Sequence, residues 1–181
     1  MELAPSLDNR IRRWIQNPNA ILRPYINPGM TILDVGCGPG YFSIEMATMV
    51  GPSGKVISAD LQEGMLRQVV AKIKGTDLES RIRCVQCGKD SINVTEPVDF
   101  ALAFYVVHEV PDKLSFFRQV KNILKPSGKF LLVEPKLFHV SRKEFEQTTG
   151  IAAQAGFSIS PARKLMLSWS ALLENTVRPA E

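Results

Sequence analysis

The stretch "TILDVGCGPG", residues 31–40, decides the reading of this chain. A short apolar run from Thr31 to Val35 carries one acid, Asp34, and gives way to glycines at 36, 38 and 40. A run of this length, closed by glycine, fits a strand buried on both faces. Glycine reaches positive φ and lets another group approach the backbone, at a cost in chain entropy. Three glycines at two-residue spacing therefore mark a tight turn with something held against it.

Similar apolar runs recur outward from this point: "KVISAD" (55–60), "RIRCVQ" (81–86), "VDFALAFYVV" (98–107) and "GKFLLVEP" (128–135). Helical patterns separate them. "YFSIEMATMV" follows the glycines and stops at Gly51. "EGMLRQVVAKIK" places Met65, Leu66, Val69 and Ile73 on one stripe, with Gly75 as its C-terminal cap. "DKLSFFRQVKNILK" starts from Asp112 as N-cap and turns Leu114, Phe117, Val120 and Leu124 inward. This alternation predicts an α/β fold with a doubly wound, mostly parallel sheet and helices on both faces. The tail departs from it. A helix over "SRKEFEQTTGIAAQA" precedes "GFSISPARKLMLSWSALLEN", which reads as two strands without a helix between them, an antiparallel pair at the sheet edge. At the front, "SLDNRIRRWIQNPNAILRPYINPG" reads as a helical lead-in broken by Pro18 and Pro24. The expected organisation is one domain over 1–181, with 1–27 as lead-in or lid and 28–181 as core.

Composition agrees with one soluble domain: 181 residues, 45% hydrophobic and 22% charged. No stretch approaches the roughly 18 apolar residues of a membrane span, and "MELAPSLDNRIRRW" lacks the apolar centre of a signal peptide. A cytoplasmic protein is expected. The net charge of +4 is mild. Arg10, Arg12, Arg13 and Arg23 read as a solvated face, too sparse and too poor in aromatics for a nucleic-acid partner. Cys37, Cys84 and Cys87 read as free thiols. "CVQC" lies on a strand, where residues three apart face opposite ways, so no metal site is expected.

The ligand of the glycine turn follows by exclusion. Dinucleotide turns use G-x-G-x-x-G, which brings the pyrophosphate to a helix N-terminus. Here the place of the third glycine is Tyr41, and no Gly-Lys-Ser/Thr follows for a phosphate loop. Asp34 beside the turn would repel phosphate and attract a cation. Asp60, closing the second strand, is placed to accept both hydroxyls of a ribose. A ribose, no pyrophosphate and a positive charge together describe S-adenosylmethionine.

At these residues the sequence resembles the class I S-adenosylmethionine-dependent methyltransferases, from about Asn27 onward. "ILDVGCGPGYFS" is similar to their first motif, "VISAD" to the second, "VDFALAFYVVHEVPD" to the fourth-strand segment and "ILKPSGKFLLVEP" to the fifth. The resemblance implies seven strands in the order 3-2-1-4-5-7-6 with the seventh antiparallel. It also implies a cofactor site of Asp34, Gly36, Cys37, Gly38, Gly40, Asp60, Leu61, Gly88 and Phe104, with Leu61 beside the adenine. Where many members place an acid for the adenine amino group, this chain has Gly88, with Asp90 two residues on. Backbone amides or Asp90 would then hold the base.

Methyl transfer from a sulfonium expels a neutral leaving group, so positioning and exclusion of water dominate. A base is needed only where the acceptor must lose a proton. Tyr105, His108 and Glu109 follow the fourth strand, and Tyr105 and His108 are the expected catalytic pair. Glu134 ends the fifth strand on the same cleft. "AFYV" stands where base-methylating enzymes carry an Asn/Asp-Pro-Pro-Tyr motif, which favours a small-molecule acceptor, quinone or other rings among them. The short lid predicts an open site, or one completed by a second subunit in a homodimer. Two rival readings are a nicotinamide-dependent oxidoreductase, which the glycine spacing disfavours, and a catalytically silent subunit that binds S-adenosylmethionine.

Overall fold

The computed structural model describes residues 17–136 and 140–175. Its elements are helix α1 (Pro18–Leu22), β1 (Thr31–Val35), α2 (Tyr41–Val50), β2 (Lys55–Asp60), α3 (Glu63–Ile73), β3 (Ile82–Gln86), β4 (Val98–Phe104), α4 (Lys113–Ile123), β5 (Leu124–Pro135), α5 (Arg142–Gln154), β6 (Phe157–Pro161) and β7 (Ser168–Asn175). Seven strands form one sheet in the order β3-β2-β1-β4-β5-β7-β6. The pairs from β3 to β5 are parallel, and β7 runs antiparallel to both β5 and β6. This is the doubly wound order expected from the sequence.

The continuous apolar runs have a simple cause. Ile32 and Leu33 point to opposite faces of β1, and both are fully buried. Leu33, Ile57, Ala101, Phe117, Val120 and Phe130 form one core layer. Ile32, Met46, Val56, Val69, Phe100 and Leu102 form the other. A ring such as Phe117, with no exposed surface, contributes about 1.5–3 kcal/mol through burial. Cys84 packs in one layer and Cys87 against the other, so the strand separates the two thiols as expected.

Several boundaries differ from the sequence reading, each for a local reason. Pro18 opens α1: it occupies the first turn, where its missing N–H costs nothing, and the Asn17 side chain caps Ala20 N–H at 3.2 Å. The lead-in before Asn17, with Arg10, Arg12 and Arg13, lies outside the described residues. β4 stops at Phe104 instead of residue 107, because Tyr105 adopts φ +63° and leaves the extended region. β5 starts at Leu124, four residues before the expected Gly128, because Leu124 is already extended (φ −77°, ψ 124°). The inward stripe of α4 is Phe116, Phe117, Val120 and Ile123, while Leu114 is only half-buried in the first turn. Met65 is likewise half-buried, leaving Leu66, Val69 and Ile73 as the buried stripe of α3.

Candidate active site

In an open α/β sheet, ligands sit beyond the carboxyl ends of the strands, where the strand order reverses. Here β1 lies between β2 and β4, and the chain reverses direction across the sheet in passing from β3 to β4. A cavity of about 380 Å³ opens at this place. Val35 and Gly36 from the end of β1, Asp60 and Leu61 from the end of β2, the turn from Cys87 to Ile92, and Tyr105 and Val106 from the end of β4 line it, and Glu109 to Asp112 and one face of α4 close it.

The glycine turn is built by its own backbone. Gly36 N–H and Cys37 N–H both donate to the Ala59 carbonyl, at 2.8 and 3.1 Å, and Gly40 N–H donates to the Cys37 carbonyl at 3.1 Å. Gly38 N–H donates to Asp60 Oδ2 at 2.8 Å. Pro39 has no N–H. Every amide between Gly36 and Gly40 is therefore committed inside the protein, and none is left to cradle a pyrophosphate. Gly36 has φ +66°, and a Cβ on it would stand 2.5 Å from Val106 Cγ2. Conformation and close packing of β1 on the β4 turn thus both demand glycine at 36.

Asp60 fits a diol. It is only 8% exposed, and its Oδ1 and Oδ2 accept backbone N–H groups of Gln62 and Gly38, each at 2.8 Å. A carboxylate oxygen has two acceptor positions, so one on each oxygen remains after the backbone is satisfied. Leu61 follows directly. It lines the cavity while 53% exposed, an apolar surface suited to a flat ring.

Asp34 does not reach the cavity lining. It is buried beneath the turn, where Ser43 Oγ donates to its Oδ2 at 2.5 Å, and the Ser43 backbone also hydrogen-bonds it. It thereby tethers the first turn of α2 to β1. Burial pushes this carboxyl up to about 7, against the pull of the Ser43 hydrogen bonds and with help from nearby Asp60. Asp34 therefore stands behind the turn and not on the cavity wall, where a cation would have met it directly. Cys37 is also buried, its thiol raised by burial and by Asp34 and Asp60, and it donates to the Gly38 carbonyl at 3.4 Å. Phe104 is buried between Phe42 and Tyr105, with centroids 4.3 and 4.5 Å away. Gly38, Gly40, Cys37 and Phe104 support the site from behind its walls. Gly88 and Asp90 both line it, and the Gly88 N–H is taken by the Ser91 carbonyl at 2.7 Å.

On the other side of the cleft, Tyr105 Oη and Ser168 Oγ are 2.5 Å apart, tying the end of β4 to the start of β7. His108 sits in a turn of 3-10 helix, Val107–Glu109. Its Nδ1 is 2.5 Å from Glu134 Oε2, and its Nε2 is 3.8 Å from Glu109 Oε1. Glu134 is 1% exposed and accepts Val107 N–H at 2.8 Å through Oε1. Ser43, Ser168 and Gln119 escape sequence reading. Gln119 accepts Ile92 N–H and donates to the Asp90 carbonyl, fixing the cavity wall, yet its only sequence signal is a polar residue on an otherwise apolar helix stripe.

The family model described as "Methyltransferase domain" matches residues 26–172. A demethylmenaquinone methyltransferase of Lactococcus lactis is 32% identical over 107 residues, covering 59% of this chain and 42% of that protein. One from Oceanobacillus iheyensis is 32% identical over 127 residues, covering 69% and 52%. The chain thus spans about half the length of these curated relatives, or less. A crystal structure of a methyltransferase from Aquifex aeolicus dependent on S-adenosylmethionine superposes with a TM-score of 0.77 at 22% identity, covering 95% of this chain and 97% of that one. At that identity the likeness speaks for the fold.

Proposed function

Because the chain belongs to the class I S-adenosylmethionine-dependent methyltransferase family, we propose that it binds S-adenosylmethionine in this cavity and transfers the methyl group to a small-molecule acceptor. The observation that carries the reading is Asp60: a nearly buried carboxylate at the cavity whose two backbone donors leave one acceptor position per oxygen for a ribose diol. The committed amides of the glycine turn argue in the same direction, against a pyrophosphate. When bound, the cofactor supplies an electrophilic methyl carbon on a sulfonium. Leu61 then covers the adenine and Asp90 accepts from its amino group. Gly36 lets the ligand lie against the end of β1, while Asp34, Cys37, Gly38, Gly40 and Phe104 hold the turn in shape.

Tyr105 and His108 act on the acceptor side of the cleft. The activity named for the curated relatives supports a ring-bearing acceptor, such as a quinol. A cytoplasmic setting belongs to the same reading, as does a homodimer that completes the acceptor side; light scattering in solution reads the latter. Among the described residues no helix is long and apolar enough to cross a membrane. Calorimetry with S-adenosylmethionine, S-adenosylhomocysteine and NAD tests the assignment. The first two bind and NAD does not; tighter binding of NAD would overturn it.

A further inference from the structure

One buried charge is unexplained by cofactor binding. Glu134 is 1% exposed at the end of β5. We propose that Glu134 holds His108, which stands behind the cavity-lining residues Val106, Glu109 and Val110, as a proton acceptor for that cavity, and that the methyl acceptor therefore belongs to molecules that must give up a proton, a hydroxyl or an acidified C–H. The inference rests on the methyl-transfer reading above.

Burying a carboxylate is costly unless it is fully paired. Glu134 Oε1 accepts Val107 N–H at 2.8 Å, and the His108 backbone hydrogen-bonds the same carboxylate. The second oxygen goes to His108 Nδ1 at 2.5 Å. An ionised carboxylate only accepts, so Nδ1 carries the hydrogen and the lone pair of the neutral ring is on Nε2. Burial raises the Glu134 carboxyl, and His108 opposes that rise. The ring is still 23% exposed, and Nε2 lies 3.8 Å from the carboxylate of Glu109, itself part of the cavity lining. Val106 and Val110, on either side of this turn, line the cavity too. The carboxylates of Glu109 and Glu134 both face the ring.

The chemistry balances without a further reactant. Nε2 takes the proton from the acceptor's O–H or C–H. The electron pair left on the acceptor forms the bond to the methyl carbon, and the C–S bond breaks with its pair staying on sulfur. The positive charge passes to the imidazole, where Glu134 stabilises it. A tertiary amine or a thioether attacks through its own lone pair and needs no such base. Glu134 is a positioning residue in this scheme, since it acts through His108.

Nitrogen-15 NMR of the full chain tests the geometry without any acceptor. There are two histidines, 108 and 139, so His139→Gln assigns the signals. In mildly alkaline solution the wild type shows His108 protonated on Nδ1 and bare on Nε2. In Glu134→Gln the amide NH₂ faces Nδ1 while its carbonyl keeps Val107 N–H, so the tautomer inverts to Nε2–H. An Nε2–H tautomer in the wild type, or the same tautomer in both proteins, would overturn the pairing. The second arm incubates the protein and methyl-labelled S-adenosylmethionine with a metabolite extract. Label on oxygen or carbon supports the acceptor class, and Glu134→Gln then lowers kcat about 100-fold with an altered pH–rate profile and little change in KM. Label only on a tertiary amine or a thioether, which have no proton to give up, overturns it. No labelled product at all, with cofactor binding intact, would overturn the methyl-transfer reading and the acceptor class with it, whatever the tautomer.

Discussion

The two sides of the cleft are built in opposite ways. On the β1–β2 side, the polar groups are satisfied by near neighbours in sequence or by backbone: Asp34 by Ser43, Asp60 by Gly38 and Gln62, the glycine amides by Ala59 and Cys37. On the β4–β5–β7 side they meet across long stretches of chain: His108 with Glu134, 26 residues on, and Tyr105 with Ser168, 63 residues on. The first side is a local turn whose geometry is nearly complete in one βαβ unit. The second exists only once the sheet has assembled. A ligand common to a whole family suits a site of the first kind, and an acceptor that differs between members suits the second.

Four substitutions would break or sharpen this contrast. Gly36→Ala should have the largest effect. A left-handed conformation costs about 1–2 kcal/mol for a residue with a Cβ, and the 2.5 Å approach to Val106 adds about 1–3 kcal/mol of overpacking. Chemical denaturation should show the loss. A variant as stable as the wild type would mean that the turn is far more compliant than its packing implies.

The pH dependence of stability comes next. Asp34 is pushed up to about 7 in the folded protein from an ordinary value of 3.8. Between about pH 4 and 7 the native state therefore binds more protons than the unfolded one, so stability falls as pH rises through that window. The loss is on the order of a few kcal/mol at most. Glu134, also raised by burial, adds in the same direction. Urea titrations of wild type and Asp34→Asn across this range read it: the asparagine variant should give the flatter curve, and parallel curves would place the titrating group elsewhere.

Asp60→Ala should weaken S-adenosylmethionine by about 1–3 kcal/mol, through lost hydrogen bonds to a charged group. The released Gly38 and Gln62 amides should loosen the turn as well. Calorimetry measures the affinity, and an unchanged dissociation constant would put the ribose elsewhere. Tyr105→Phe is the mildest. It removes the bridge to Ser168 across the acceptor side and should cost about 0.5–1.5 kcal/mol of stability, leaving cofactor affinity within error. A large drop in cofactor affinity would show that the two sides of the cleft are not separable.

How much could be read in advance follows the same division. The parallel sheet was legible because strands buried on both faces must be apolar without interruption, as in Ile32, Leu33 and Val35. The antiparallel edge was legible because no helix fits between residues 157 and 175. Asp60, Leu61 and Gly36 were legible as cavity-lining residues because strand ends and glycine turns have fixed places in a doubly wound fold. The helix stripes were read almost in phase, with Phe116 and Ile123 in place of Leu114, since a stripe has no sharp edge in sequence.

What sequence by itself determined was therefore the layer order, the switch point and the glycine turn, all consequences of local periodicity and backbone conformation. Tertiary structure alone decided that Asp34 turns under the loop to Ser43, that Gly88 spends its amide on Ser91, and that Glu134 meets His108. Each of these depends on the direction of a side chain or an amide in three dimensions. No spacing encodes such a direction, because the partner's position is set by how β5 and the β4 turn pack, not by how far apart the residues lie in the chain.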